Sequence, residues 1–187
     1  MKHDQQPDEE AIIHQCLDGN ADSYSVLVER YKTMVYNVAF RMVGDADTAK
    51  DIAQESFLAA YKGLRQFKFE SKFSSWLYRI VLNKCRDHLR LAKETVTTDD
   101  IATVRPDPGP SPEQAVAARQ NTDILQRALK QLPADYREVL ILKHIEGLDY
   151  QEIAAITGAG IPALKVRAHR GREMLRKVLE QSGVTHG

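Results

Sequence analysis

Apolar residues recur along most of the chain at steps of three and four, the spacing that gathers them on one side of an α-helix. Tyr24, Leu27, Val28, Tyr31, Val35, Val38 and Met42 form one such stripe, with Asp22 placed to cap its start and Gly44 to end it. A second stripe, Ala49, Ile52, Ala53, Phe57, Ala60 and Leu64, predicts a helix over about 47–64. The third predicted helix spans about 74–93 and turns Leu77, Val81, Cys85 and Ala92 to one side. No stretch sustains the alternation of a strand, so the expected fold class is all-α.

The pattern fails after residue 94. Thr95, Thr97 and Thr98 lead into Asp99 and Asp100, and prolines then stand at 106, 108, 110 and 112. Alternating prolines remove amide donors and favour extended backbone, which predicts an exposed, flexible linker. Helical periodicity resumes near Glu113, with Pro133 opening a new helix after Leu132. The expected organisation is two small helical domains, 1–93 and 119–187, joined by an acidic, proline-rich linker over 94–118.

The second half carries the spacing of a helix-turn-helix. Ala154 is small enough for a close helix crossing, Gly158 tolerates positive φ in the turn, and Leu164 anchors the second helix. Asp149 is placed to cap the first helix, and Ile161-Pro162 opens the second. Ile161, Leu164, Ala168, Gly171, Leu175 and Val178 share the inward side; Pro162, Val166, His169, Arg170 and Glu173 point out, flanked by Lys165, Arg167 and Arg172. A helix this basic suits a major groove, with Arg170 the first candidate for a bidentate guanine contact. The plainer alternative is a surface helix on an ordinary bundle.

Charge changes the picture further. Net charge is zero over 187 residues, yet residues 57–93 hold 9 basic and 2 acidic side chains, and residues 161–177 hold 6 basic ones against Glu173 alone. Two basic islands can each neutralise phosphates without making the whole chain basic. On the third helix Ser75, Arg79, Asn83, Arg86, Arg90 and Lys93 make one polar, mostly cationic face. Phe67, Lys68, Phe69, Lys72, Phe73 and Trp76 lie just before it or at its start. Rings interleaved with cations suit single-stranded nucleic acid, where bases stack while lysines follow the backbone. Trp76 also reads as core, whereas Phe67 and Phe69 are harder to bury together.

The outer face of the second helix carries Asp51, Gln54, Glu55, Leu58 and Lys62. An apolar Leu58 on a polar stripe suits a partner helix, and Asp51 with Glu55 would offer carboxylates to its arginines; a solvated acidic face is the other reading. No His, Ser or Cys stands with these carboxylates in a catalytic constellation. Glycine-rich phosphate loops and metal-ligand spacings are likewise missing, so no enzyme, cofactor or metal is expected. No apolar run reaches the length of a membrane span and MKHDQQPDEE lacks a signal-peptide core, so a cytoplasmic location is expected.

These residues together resemble the extracytoplasmic-function (ECF) group of bacterial sigma factors over nearly the whole chain. The resemblance rests on Arg41, Gly44-Asp45, the run Asp51 to Phe57, the run Phe73 to Ile80, and Asn83. In the second half it rests on Leu132-Pro133, Tyr136 to Val139, Gly147-Leu148, Tyr150 to Ala154 and Lys165 to Arg172. It implies a region 2-like bundle and a region 4-like helix-turn-helix that bind core RNA polymerase and direct promoter-specific initiation. Asp51, Gln54, Glu55 and Leu58 would dock on the polymerase. Lys62, Arg65, Phe67, Lys68, Phe69, Lys72, Phe73, Ser75, Trp76, Arg79, Asn83 and Arg86 would melt and read the minus-ten element as single strand. Pro162, Ala163, Lys165, Val166, Arg167, His169 and Arg170 would read the minus-thirty-five duplex. Pro162, Ala163 and Val166 depart from the family, which commonly has Gly-Thr and a serine there. The resemblance also implies stress-responsive control by an anti-sigma factor, which would hold the protein at the inner face of the membrane. A two-domain regulator that never contacts polymerase is the rival reading.

Overall fold

A computed structural model describes the backbone of residues 8–96 and 113–181 and the side chains of 8–94 and 122–181. In chain order the helices are α1 (Glu9–Leu17), α2 (Ala21–Val43), α3 (Ala46–Gly63), α4 (Phe73–Val96), α5 (Glu113–Lys130), α6 (Ala134–Leu140), α7 (Tyr150–Thr157) and α8 (Ile161–Gln181). A 3₁₀ turn, Leu64–Gln66, follows α3, and a π turn, Ile141–Ile145, follows α6. No strand occurs among the described residues, as the periodicity predicts. The prolines from 106 to 112 lie outside the described residues; α4 runs to Val96 and α5 begins at Glu113.

Helix boundaries follow local chemistry. Asn20, rather than Asp22, caps α2: its side-chain oxygen accepts from the Asp22 and Ser23 amides at 3.1 and 3.3 Å. Asp22 instead lies in the first turn, where its charge complements the helix dipole. Gly44 ends α2 in the left-handed conformation, donating its amide to Phe40 O. Asp45 then accepts from the Thr48 amide at 2.8 Å to open α3, and that bond holds its carboxyl below the usual range.

Helix α1 has no counterpart in the sequence expectations beyond a helix-like setting for Cys16. Its inward set, Ile12, Ile13 and Cys16, is too short to make a period, yet all three are buried against the bundle. Leu27, Val35, Val38 and Met42 from α2, Ile52 and Ala60 from α3, and Leu77, Val81 and Cys85 from α4 meet them in one core. Burying each large side chain stabilises the fold by about 1.5–3 kcal/mol. Ala92, expected on the apolar side of α4, is exposed near the helix end. The same core continues into Val139, Ile141, Leu142, Ile153, Ile156, Leu164 and Ala168, so the two helical regions pack together.

The second region is organised around the crossing of α6 and α8. A Cβ at Gly171 would stand 3.2 Å from Leu140 side-chain atoms and 3.4 Å from Tyr136 Cβ, so a larger residue would make Leu140 or Tyr136 give by a few tenths of an ångström. Asp149 and Glu152 form a reciprocal capping box on α7, and Gly158 (φ +74°) makes the left-handed turn into α8.

Candidate nucleic-acid interface

The turn at Gly158 sets α8 with its basic side outward. Leu164 and Ala168 are fully buried beneath it, while Pro162, Ala163, Lys165, Val166, His169 and Arg170 are exposed. Arg167 departs from this pattern: it is half-buried and pairs with Asp135 of α6 at 3.2 Å. Arg170 has no ion-pair partner among the described residues, which leaves its guanidinium available for a bidentate contact. A groove of about 500 Å³ opens beside it, lined by Asp135, Tyr136, Pro162, Ala163, Val166, Arg167 and Arg170.

The aromatic segment of the first region sorts differently from expectation. Phe67 is 7% exposed and Phe73 is buried; each lies within 6 Å of Trp76, and they meet each other edge to face at 5.7 Å. Tyr31 of α2 closes on Phe73 from the far side. Phe67 and Phe73 therefore shape the loop from within and present no face to a base. Trp76 is half-buried in the same cluster. Only Phe69 keeps an open ring, at 37% exposure, on a backbone with φ +57°. Lys62, Arg65, Lys68 and Lys72 of the same stretch are exposed. Sequence reasoning missed one neighbour: the His14 imidazole of α1 lies nearly parallel to Phe69, with ring centroids 4.9 Å apart.

The cationic face of α4 is engaged by the second region. Arg86, half-buried, donates to both oxygens of Glu138 at 2.9 and 2.5 Å and to Asn83 Oδ1 at 2.8 Å. Burial alone would lower the Arg86 pKa; the Glu138 carboxylate overcomes that and raises it. Arg79 donates to Ala155 O at 2.5 Å, Tyr78 OH to Glu146 at 2.7 Å, and Lys72 to Glu152 at 3.1 Å. Three carboxylates, Glu138 of α6, Glu146 just after the π turn and Glu152 of α7, thus engage side chains of the segment 72–86. Ser75 is half-buried within α4's first turn, and Asn83 is exposed. Behind this seam, Gln126 donates to Phe40 O and Arg41 O, and Arg137 to Met42 O, satisfying carbonyls at the end of α2. Arg137 is buried there, which lowers its pKa.

On α3, Asp51, Gln54, Glu55 and Leu58 all face solvent, Leu58 at 60% exposure. Glu55 accepts from Lys84 of α4 at 2.9 Å, and Tyr61 extends the apolar part of the face. Burial drives the Cys85 thiol up to about 12, and Cys16 is raised for the same reason, so neither thiol is poised to react. No cluster of three metal-ligating side chains occurs among the described residues, and no described helix is long and apolar enough to cross a membrane.

Two family models match this chain: Sigma-70 region 2 over residues 27–95, and Sigma-70, region 4 over residues 122–175. The ECF RNA polymerase sigma factor SigW of Bacillus subtilis is 37% identical over 177 residues, covering 89% of this chain and 94% of its own. The chain belongs to the ECF sigma factors. It is therefore a transcription initiation factor, which binds core RNA polymerase and directs it to promoters; the polymerase-independent regulator is not favoured. The RNA polymerase sigma-H factor of Pseudomonas aeruginosa is 31% identical over 184 residues, 94% of this chain and 95% of its own. Among solved structures, CnrH in complex with the cytosolic domain of CnrY matches with a TM-score of 0.70 at 27% identity, covering 91% of this chain and 96% of that one. Sigma factor RpoE bound to the anti-sigma factor NepR, from Bartonella quintana, shares the fold with a TM-score of 0.71 at 24% identity, covering 86% and 98%. In this sigma factor the region 2 match spans most of α2, all of α3 and nearly all of α4. The region 4 match runs from late α5 into α8, and α1 lies outside both.

Proposed function

We propose that this sigma factor reads its promoter with two surfaces of unlike readiness, and that the closed arrangement of its helices is the resting state. The division we assign is 1–93 for polymerase docking and minus-ten recognition, 94–118 for the connection, and 119–187 for minus-thirty-five recognition. In this reading Asp51, Gln54, Glu55 and Leu58 meet the polymerase. Arg170, with Pro162, Ala163, Lys165, Val166 and His169 around it, enters the duplex groove. Arg167 follows once it exchanges Asp135 for phosphate. The aromatic loop around Phe69 receives the opened strand while Lys62, Arg65, Lys68, Lys72, Arg79 and Arg86 follow its backbone, with Ser75, Trp76 and Asn83 alongside. Phe67 and Phe73 keep the loop's shape from behind.

The observation that carries the reading is the bidentate Arg86–Glu138 pair. A cation of the strand-binding face is held by a carboxylate of the other region, so strand binding and closure compete for the same guanidinium. Polymerase, which must separate the regions to use both, would tip that competition. An anti-sigma protein that stabilises closure would do the reverse, and CnrH in complex with the cytosolic domain of CnrY shows a similar fold holding a protein partner. Run-off transcription with core polymerase and a promoter library tests the reading. Discrete start sites that depend on both promoter elements are expected, and no start site at any promoter rejects it.

A further inference from the structure

An unpaired base needs a flat, accessible ring to lie on, and the loop 67–73 offers less than its aromatic content suggests. Phe67 and Phe73 are turned inward, leaving Phe69 as the open ring of the loop. One side of Phe69 is taken by Phe67, at 4.9 Å and tilted 58°. The His14 imidazole covers it in a near-parallel stack, 12° from coplanar. The aromatic column that begins at Phe73 and passes through Phe67 and Phe69 therefore ends on His14, whose side chain is 58% exposed.

His14 is held in place by its own helix rather than by the loop. Ile12, Ile13 and Cys16 bury the inner side of α1. Glu9 accepts from Tyr31 and lies 3.5 Å from Arg30, and Gln15 accepts from Ser23 Oγ at 2.8 Å. Phe69 has a left-handed backbone, which a phenylalanine rarely adopts, and ring contacts from Phe67 and His14 hold it there. In the same chain segment Arg65, Lys68 and Lys72 are exposed, while Glu10 lies 3.9 Å from His14 Nε2 on the turn below. An exposed π-face at the end of a chain of aromatic contacts, beside a segment that carries exposed cations, has the chemistry of a nucleobase seat.

We infer that His14 is a base-stacking residue: one unpaired base of the minus-ten strand lies on the outer face of its imidazole, continuing the column from Phe69. The inference rests on the strand-opening reading of the loop and adds α1, which neither family match includes, to the promoter-reading surface.

The test uses the full chain assembled with core polymerase and the non-template strand of a promoter found by run-off transcription, with 2-aminopurine placed at each minus-ten position in turn. One position should be quenched on binding. His14→Ala should abolish that quenching and weaken strand binding about 5- to 150-fold, the range of a lost stacking contact. His14→Phe and His14→Tyr should restore both, and an abasic site at that position should make the original protein and His14→Ala bind alike. Unchanged binding by His14→Ala, a loss that persists on the abasic strand, or no rescue by either aromatic overturns the role of His14 alone. Failure of the unaltered holoenzyme to bind the strand overturns the strand-opening reading beneath it.

Discussion

The two regions of this sigma factor carry similar chemistry in opposite states. In the second region the outward side of α8 stands in solvent, and Arg170 is paired with nothing among the described residues. In the first, Lys72, Arg79 and Arg86 are each bonded to the second region. In the proposed reading the duplex reader is ready-made and the strand reader is conditional. This difference suits the order of initiation, since duplex exists before polymerase arrives and the unpaired strand only afterwards. The interiors differ too. Each region's interior is almost wholly apolar, whereas the join between them adds charged and amide groups around the apolar core the two regions share. Three buried seam atoms, Arg41 Nε, Gln126 Oε1 and Arg137 Nε, have no hydrogen-bond partner among the described residues. Opening the join returns those atoms to water, which offsets part of the cost of exposing the shared core.

The comparison is broken most severely at Leu164, the fully buried anchor of α8. Leu164→Ala should lose about 2–5 kcal/mol, as cavity-forming leucine truncations do. Calorimetry should then show the second region melting first, while helix-sensitive probes keep the first region's transition in place. One merged transition, shifted as a whole, would mean that the shared core joins the two regions into one cooperative unit.

A smaller effect is expected at the seam itself. Glu138 is 4% exposed and meets Arg86 in two bonds. Glu138→Gln should shift the balance towards open forms by about 1–2 kcal/mol, roughly a tenfold change or a little more. Small-angle scattering should report a larger radius, and single-strand binding by the polymerase-free protein should rise. Equal or weaker strand binding would show that Glu138 does not compete with DNA.

The exposed reader gives a sharper, local prediction. Arg170→Ala should reduce affinity by about 1–3 kcal/mol for the preferred base pair at one duplex position and leave other positions alone. A uniform loss across sequences would reassign Arg170 to phosphate.

The smallest effect is one of pH. Asp45 lies below its ordinary value of 3.8 because the Thr48 amide bonds it; Glu152 lies below 4.5 because the Asp149 amide and then Lys72 bond it. Carboxyls lowered on folding stabilise fully above their ordinary values, and the gain is lost as pH falls through the lowered ones. Urea midpoints should therefore decline from about pH 5 to about pH 3, by less than about 1 kcal/mol for each of these largely exposed groups. Asp45→Asn, which keeps a capping oxygen, should flatten the first region's share of that slope, and Glu152→Gln the seam's.

Much of the candidate interface was legible in residue order. The Ala154–Gly158–Leu164 spacing located the helix-turn-helix, and the three-and-four rhythm of α8 sorted its exposed residues correctly except for Arg167. The acidic face of α3 was likewise found by its period. Helix α1 was legible only as a helix-like setting for Cys16, because its nine residues are too few to sustain a rhythm. Asn20 was passed over for Asp22 because both are good caps, and only the backbone distinguishes them. Phe67 was expected outside because nothing local shows that Phe73 and Trp76 converge upon it.

Residue order by itself determined which segments are helical, where they stop, and which side of each is wet. Those outcomes depend on hydrogen bonds four residues apart and on caps within a single turn, so neighbours in sequence decide them. Tertiary structure alone decided that Arg86 meets Glu138 52 residues away, that Arg137 reaches the end of α2 across 95, and that His14 lies on Phe69. Such pairs form only when packing pays the entropy of closing long stretches of chain, and no local pattern records which of several available cations or rings will be chosen.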